Sequence, residues 1–358
     1  ITLAFHHLAF AHPEPFMANE VIVITTGEGR NILVPMLLDK EHGYFVRLLK
    51  EYGIKKSEVL FDESCVKLIR GHNQKPLFDI ATDEDNQHAA NQISEVIRDL
   101  TLDTDRALHV CLADGRKPMS FYAGYALSLF GREQDRLSQI IVNDELSGHP
   151  EFFYPPKNHR HLLLEDTDAV FNTAQANVVM GNVPFVRLRD HLPVDMLENL
   201  SDSFALGEVV DKTQRNLAPV QLTIDCRAEQ ILINQEPLAL QPKPLAFLWW
   251  LALRRKKMGE QGHSVNSRDK SIDFDLFYAE LDGAVIREEP NPSDEFDPQE
   301  ISQLISKIRK GIERQFGKRM LERFGDFKEG EYGQGSYGLF DLTANQINIL
   351  NDLSGKGL

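Results

Sequence analysis

Short runs of β-branched and aliphatic residues, each leading into a polar turn, constrain this chain more than any other feature. VIVITT (Val21–Thr26) and ALHVCLA (Ala107–Ala113) are continuous apolar runs of strand length, and RLSQIIVND (136–144) is similar. Continuous rather than alternating apolar residues are typical of strands buried on both faces. Turns and helical stretches separate the runs. The repeated order of strand, turn and helix predicts an α/β fold with a doubly wound, mostly parallel sheet.

Two further strands of the first domain are expected in HLLLEDTDAV (161–170) and VPFVRLRD (183–190). The rest of the chain has a different pattern. VQLTIDCRAEQILINQ (220–235) predicts two alternating strands, and PKPLAFLWWLALRRKK (242–257) predicts an apolar helix with a basic end. A long amphipathic helix is expected at Pro298–Gly317, and a glycine-rich hairpin at YGQGSYGLFDLT (332–343). The apolar face of that helix consists of Ile301, Leu304, Ile305, Ile308, Ile312 and Phe316. This order predicts an α+β winged helix-turn-helix domain.

Two domains are therefore expected. The α/β domain spans residues 1–206, a linker spans 207–218, and the winged-helix domain spans 219–358. The sequence opens in a helical stretch, ITLAFHHLAFAH (1–12), whereas an α/β domain usually opens on a strand. A first strand and its loop are expected to precede Ile1.

Composition narrows the function classes. A hydrophobic content of 42% and a charged content of 26% are ordinary for a globular protein. The formal net charge of −15 argues against broad binding to nucleic acid or to an anionic membrane. The 3 cysteines form no C-x-x-C pair, which favours a reducing, cytoplasmic setting without a disulfide framework. No apolar run is long enough to span a membrane. We expect no cofactor.

The turn ADGRKPM (113–119) places two cations between an apolar run and a helix. Ligands of open α/β sheets bind beyond the carboxyl ends of the strands, and a helix N-terminus favours anions. Gly115 allows close approach of the backbone, while Arg116 and Lys117 offer full positive charges. The alternative is a surface turn whose two cations are simply solvated.

Two other polar stretches are less specific. In TTGEGR (Thr25–Arg30), Gly27 and Gly29 match the start of a dinucleotide fingerprint, but Ile32 replaces its third glycine. In LFDIATDEDNQHAA (77–90), the acidic run Asp83–Asp85 either binds a metal or forms the first turn of a helix. We favour the helix, with Thr82 or Asp83 as its N-cap. Because no H-x-x-x-H or H-E-x-x-H spacing occurs, no metal site is expected. The sequence also contains no G-x-x-x-x-G-K-[ST], which argues against a P-loop NTPase.

The long amphipathic helix also carries a basic stripe. Lys307, Lys310, Arg314 and Lys318 recur at steps of three and four residues. Such a stripe is either the solvated side of the helix or a surface that binds DNA.

Taken together, these motifs resemble a CRISPR-associated Rossmann fold (CARF) protein over roughly Ile1–Pro156. The resemblance is carried by NEVIVITTGEGR, PLFDIATDEDN, LHVCLADGRKPMSFYAGYALSLFGREQDRLSQIIV and HPEFFYPP. The C-terminal half more loosely resembles the OmpR/PhoB-type winged helix, through QEPLALQPKPLAFLWWLA, ISQLISKIRKGIE and YGQGSYGLFDL.

The resemblance implies a homodimer that binds cyclic oligoadenylate, the messenger of type III CRISPR systems, here expected to be cyclic tetra-adenylate. It also implies cleavage by a metal-independent ring nuclease that leaves a 2′,3′-cyclic phosphate, with Lys117 and Arg116 as the catalytic cations. The ligand-binding residues carried over are Thr25, Thr26, Gly27, Glu28, Asp114, Gly115, Arg116, Lys117 and Met119. Asp114 stands where the family would have glycine.

Two alternatives remain. The first is a non-enzymatic, messenger-responsive transcription regulator that binds DNA through Lys307, Lys310 and Arg314. The second is an effector nuclease, which is disfavoured because the C-terminal half lacks an R-x-x-x-x-H motif.

Overall fold

The computed structural model describes most of the chain. The described residues are 1–112, 117–164, 169–198, 204–260, 262–266, 268–281, 294–330 and 335–351. They form a mixed α/β structure in two compact units. The first unit contains Ile1–Arg189 and Ser201–Leu206, and the second contains Asp190–Leu200 and Gly207–Leu358.

Helices and strands alternate through the first unit. Its α-helices are α1 (Thr2–His6), α2 (Gly27–Leu33), α3 (Tyr44–Tyr52), α4 (Asp83–Leu100) and α5 (Lys117–Phe130). π-Helical turns at His7–Ala11 and Val34–Leu38 continue α1 and α2, and 3₁₀ turns lie at Lys56–Glu58, Glu63–Cys65, Asp144–Leu146 and Thr173–Gln175. Its strands are β1 (Val23–Thr25), β2 (Val66–Leu68), β3 (His109–Leu112), β4 (Arg136–Val142), β5 (His161–Leu163), β6 (Val170–Asn172) and β7 (Val178–Asn182).

The described strands of this unit form small sheets. β1 and β2 pair in parallel, with Val23 opposite Val66. β3 pairs in parallel with β4, which pairs in antiparallel fashion with β7. β5 and β6 form an antiparallel pair. The parallel pairing of β1 with β2 and of β3 with β4 agrees with the predicted strand–turn–helix pattern.

Two strand predictions are wrong in part. β1 and β3 are half-buried, whereas continuous apolar runs predicted burial on both faces. The reason is that β1 belongs to a two-stranded sheet and β3 lies at a sheet edge, among the described residues. The strand expected at 183–190 does not form, and β7 ends instead at Asn182.

Apolar side chains of α1, α3 and the segment around Phe61 make one core of this unit. Phe45 is 2% exposed and packs edge-on against Phe5 and Phe61. α4 packs along α5, and the buried residues of α4 include Ile93 and Ile97 on its inner face. These contacts fix the helices that follow β2 and β3.

A buried carboxylate connects the start of β3 with the turn after α5. Asp135 is fully buried and accepts hydrogen bonds from the Leu108 amide (2.9 Å) and from the Arg132 amide (2.7 Å). Arg132 Nε and Nη2 each donate to the carboxylate at 2.9 Å. Burial alone would raise the pKa of Asp135, but the Arg132 and Leu108 hydrogen bonds outweigh it and lower the pKa.

The second unit contains the remaining elements. Its helices are α6 (Val194–Glu198), α7 (Leu206–Leu217), α8 (Pro242–Met258), α9 (Ile272–Leu281), α10 (Pro298–Phe316) and α11 (Lys318–Phe324), with 3₁₀ turns at Arg189–His191 and Ala344–Gln346. Its strands are β8 (Leu222–Asp225), β9 (Gln230–Ile233), β10 (Glu236–Pro237), β11 (Val265–Asn266), β12 (Lys328–Glu329), β13 (Ser336–Tyr337) and β14 (Ile347–Leu350). The residues expected as a linker, 207–218, lie almost entirely within α7.

Two sheets flank the helices of the second unit. One has the order β10-β9-β8-β14, and the other has the order β11-β13-β12. The predicted strand pair at 220–235 is confirmed as β8 and β9, and the predicted helix is confirmed as α8. The buried residues of α10 are the six predicted from its periodicity. α11 was not predicted.

We expect Asp135→Asn to lower the free energy of unfolding of the first unit by about 3 kcal/mol, because Arg132 would keep a buried charge without its carboxylate. The lowered pKa of Asp135 means that this stabilisation is present above the unfolded value of about 3.9 and is lost as the pH falls through the folded pKa. Urea unfolding at neutral and acidic pH measures both effects. The exposed Asp105→Asn is the control. Equal midpoints for Asp135→Asn and the unmodified protein at neutral pH would contradict the assignment.

Candidate functional site

The strand–loop–helix unit formed by β3 and α5 contains the predicted cation turn. β3 ends at Leu112, and its parallel partner β4 runs alongside from Arg136. α5 begins at Lys117, directly before Pro118. Met119 is half-buried. The turn therefore leaves the carboxyl end of a parallel strand and enters a helix N-terminus, which is the geometry expected for an anion site.

Part of this turn falls outside the described residues. Asp114, Gly115 and Arg116 all lie in the segment 113–116, which the structure does not describe. For Lys117 the structure gives the helical position only. The predicted roles of these residues therefore stay predictions.

The first half of α5 is poorly covered by the rest of the first unit. Phe121 is 66% exposed, and its ring stacks on Tyr125 with centroids 5.8 Å apart. From Ala126 to Phe130 the helix becomes mostly buried. The exposed Phe121, one turn after Lys117, and the half-buried Tyr125 together form an apolar surface near the start of α5.

The second predicted turn, TTGEGR, is closed by backbone hydrogen bonds. The amide of Gly27 donates to the Leu77 carbonyl at 2.7 Å, and the amide of Glu28 donates to the Phe78 carbonyl at 2.9 Å. The Thr26 hydroxyl caps α2 by accepting from the Gly29 amide. The backbone donors that a phosphate would need at the start of α2 are thus already used within the protein.

The glycines of this turn have packing roles. A Cβ at Gly27 would lie 3.2 Å from the Leu77 carbonyl oxygen, and a Cβ at Gly29 would lie 2.1 Å from Thr25 Oγ1. Gly27 lets the segment from Leu77 cross close to α2, and Gly29 leaves room for the Thr25 side chain. Their spacing does not require a dinucleotide.

β1 and β3 belong to different hydrogen-bonded sheets among the described residues. The structure therefore does not join TTGEGR to the β3–α5 turn through strand pairing. An ion pair does link the two regions, since Arg106 Nη1 lies 2.7 Å from Glu20 Oε2. Glu20 precedes β1 and Arg106 precedes β3.

The acidic run Asp83–Asp85 forms the first turn of α4, and Thr82 caps this helix, as predicted. Thr82 accepts from the Asp85 amide at 3.1 Å, and Asp85 accepts from the Thr82 amide at 3.0 Å. The Thr82 hydroxyl also donates to Asp85 at 2.8 Å, and these hydrogen bonds lower the pKa of Asp85. The reciprocal bonds form a capping box.

A comparison with models of protein families shows to which family the chain belongs. The family model for CRISPR-associated protein NE0113 matches residues 1–219. The chain belongs to this family. A comparison with curated proteins gives no match. None of the described helices is long and apolar enough to cross a lipid bilayer.

The NE0113 family match ends shortly before β8, so most of the second unit lies outside it. There the predicted basic stripe of α10 is only partly solvated. Lys307 and Lys310 are exposed, but Arg314 Nε donates to Asp195 Oδ1 of α6 at 2.8 Å. This hydrogen bond and the negative charge of Asp195 raise the pKa of Arg314. Arg314 is therefore engaged within its own unit.

The expectation that this NE0113-family chain has no metal site stays a prediction, but one group of possible ligands lies outside the spacings on which it was based. Among the described residues, His72, Glu84 and His88 bring one ligand atom each within 4.8 Å of the others. Glu84 and His88 are one turn apart on α4, and this E-x-x-x-H spacing is the sequence signal for the pair. His72 lies on a turn before α4, so no spacing rule would have included it.

Proposed function

We propose that this NE0113-family protein binds cyclic oligoadenylate, expected to be cyclic tetra-adenylate, across a two-fold dimer and opens the ring as a metal-independent nuclease. This activity would switch off type III CRISPR signalling. The observation that carries the proposal is the β3–α5 unit, in which a two-cation turn follows a parallel strand in a CRISPR-associated family. The first unit would be a CARF-type Rossmann domain, and its ligand would lie over the carboxyl ends of β1 and β3.

Electrostatics favour the turn after β3 as the anion-binding element. Arg116 and Lys117 add two positive charges at the start of α5, where the helix dipole also favours a phosphate. A ring of phosphates with two-fold symmetry would present the same groups to both copies of the turn. Asp114 would then orient Arg116 rather than face a phosphate.

The second turn would contribute differently. Because the amides of Gly27 and Glu28 donate to Leu77 and Phe78, contacts from Thr25, Thr26 and Glu28 to the ligand would use side chains. The Thr26 hydroxyl already accepts one hydrogen bond and keeps its own proton to donate.

Ring opening needs alignment and charge stabilisation. A ribose 2′-oxygen attacks the adjacent phosphorus, the bond from phosphorus to the 5′-oxygen breaks, and the 2′-hydroxyl proton ends on the departing 5′-oxygen. The products are a 2′,3′-cyclic phosphate and a 5′-hydroxyl. Lys117 and Arg116 would stabilise the extra negative charge on the phosphate in the transition state. Binding would hold the three reacting atoms in line.

A second copy of the chain would cover the exposed start of α5. Phe121 and Tyr125 form an apolar surface next to the ligand-binding turn, and exposed aromatic side chains are typical of interface centres. A dimer formed there would bring two cation turns close together. Among the described residues the three cysteines form no disulfide bond, and the proposal expects a reducing, cytoplasmic setting.

A second candidate function is a non-enzymatic regulator that binds DNA. It is favoured by the order of β8–β10, α8, β11, α9, α10 and the β12–β13 pair, which we interpret as a winged helix of the OmpR/PhoB type. α10 would be the recognition helix, with Lys307 and Lys310 exposed on it. The Arg314–Asp195 pair would have to open before Arg314 could contact a phosphate.

Lys117→Ala should weaken binding or cleavage of cyclic tetra-adenylate about 10–100-fold, which corresponds to losing one charge-assisted hydrogen bond of roughly 1.5–3 kcal/mol. The measurement is incubation with cyclic tri-, tetra- and hexa-adenylate, with and without chelator, followed by chromatography. Lys40→Ala, an exposed lysine elsewhere in the first unit, is the matched control. Tight retention of an unopened ring would exclude the nuclease, and a Lys117→Ala variant equal to the control would exclude this turn as the site.

Phe121→Glu should convert the dimer to a monomer, because it places a charge in the proposed apolar interface. Light scattering after size exclusion gives the mass directly. Leu163→Glu is the control, since Leu163 is similarly exposed at 61% but lies on β5. A protein that is monomeric before substitution, or a Phe121→Glu variant that remains dimeric, is incompatible with this interface.

If the regulator hypothesis holds, Asp195→Asn should strengthen DNA binding, because it releases Arg314 for a phosphate contact. The dependence of log K on log salt should steepen by about 1. Replacing both Lys307 and Lys310 by alanine should abolish binding, whereas the exposed Lys257→Ala should change it little. Mobility shifts at low salt, with and without the cyclic messenger, provide the test. Failure of every variant to shift DNA at low salt would rule the regulator out.

A further inference from the structure

We propose that His72, Glu84 and His88 form a binding site for Zn²⁺ or a similar divalent transition metal. A metal bound there would hold the turn between β2 and α4 against the first turns of α4. The site uses none of the residues assigned to the cyclic nucleotide, so the metal proposal is tested independently of the proposed function.

The donor set is the first argument. Two imidazole nitrogens and one carboxylate oxygen are a common zinc ligand set, and they leave a fourth position for water. Glu84 Oε1 lies 3.7 Å from His88 Nε2, and all three donor atoms lie within 4.8 Å of one another. Small side-chain rotations would bring them to the separations found around a tetrahedral ion.

The positions of the ligands on α4 are the second argument. Glu84, His88 and Gln92 follow one another at steps of four residues and therefore share one face of the helix. His88 is mostly covered, with 28% of its side chain exposed, whereas Glu84 is 70% exposed. The surrounding residues thus hold His88 in place, whereas the Glu84 side chain has room to change its rotamer.

The third argument is that the turn carrying His72 is fixed to the same helix face. The Arg70 amide donates to Gln92 Oε1 at 2.8 Å, and Gln92 Nε2 donates back to the Arg70 carbonyl at 2.5 Å. The turn is closed on itself because the Gly71 amide donates to the Lys75 carbonyl at 3.0 Å. The Arg70 guanidinium is directed to the Gln74 carbonyl. His72 therefore approaches His88 from a braced turn rather than from a free loop.

The local charge also favours a cation. Asp83, Glu84 and Asp85 occupy the first turn of α4. Only Glu84 of these is placed to bind the metal, because Asp85 is used in the capping box. A metal at this point would offset part of that negative charge.

Metal binding by His72 would also affect the neighbouring TTGEGR turn. The segment that carries His72 continues to Leu77 and Phe78, whose carbonyls accept the amides of Gly27 and Glu28. A metal that ties His72 to α4 would restrain the same connection at both ends. We therefore expect metal binding to raise the thermal stability of the first unit.

The test is metal titration of the full chain after chelation and dialysis. Zn²⁺ binding is measured by calorimetry, and Co²⁺ binding by the visible absorption of a four-coordinate site. We expect one equivalent per chain and a higher melting temperature with Zn²⁺. His72→Ala and His88→Ala should each weaken binding at least about 100-fold, since loss of an outer-shell partner already costs 10–100-fold.

Matched variants make the outcome decisive. Glu84→Gln keeps the shape of the side chain and should weaken binding without unfolding the protein, which circular dichroism checks. His42→Ala is the control, because His42 lies 3.5 Å from Asp39 in an exposed pair without a second histidine. Isotherms that are unchanged in His72→Ala or His88→Ala, loss of binding in His42→Ala, or no binding at millimolar metal would each overturn the proposal.

Discussion

The buried Asp135 carboxylate is the interaction on which the candidate site depends most directly. It binds the amide of Leu108 just before β3 and the guanidinium of Arg132 just after α5. These are the outer ends of the two elements that flank the cation turn. Because the carboxylate is fully buried, its four hydrogen-bond donors are held in one geometry, and the start of the strand and the end of the helix cannot move apart independently. Arg189 reinforces the same region by donating to the Phe130 carbonyl at 2.6 Å.

The two glycine-containing turns of the first unit have different chemical capacities. At TTGEGR the amides of Gly27 and Glu28 are bound to Leu77 and Phe78, so an anion would have to displace protein carbonyls. That exchange would leave the carbonyls of Leu77 and Phe78 without these donors, which is unfavourable. The turn after β3 instead carries two cationic side chains. In the proposed complex, recognition of phosphates would therefore depend mainly on side-chain charge after β3, and only secondarily on the start of α2.

Sequence patterns predicted the elements whose stability is local. The face of α10 followed from the spacing of Ile301, Ile308 and Ile312, because one helix period repeats over the whole element. The Thr82 cap followed from local side-chain chemistry. Contacts between distant residues could not be predicted in this way. The amides of Gly27 and Glu28 find their acceptors beyond β2. The hydrogen bonds between Arg70 and Gln92 hold the turn that carries His72 against the helix that carries His88.

The same limit explains the basic stripe of the second unit. Periodicity placed Lys307, Lys310 and Arg314 on one face, but it carries no information about α6, whose Asp195 lies against Arg314. The chain as a whole is strongly acidic, so any attraction to DNA would have to come from a local concentration of cations. One ion pair at the end of α10 engages one of the four cations of the predicted stripe. Arg314 would have to leave Asp195 before it could contact DNA, and the ring-binding proposal for the first unit does not depend on this step.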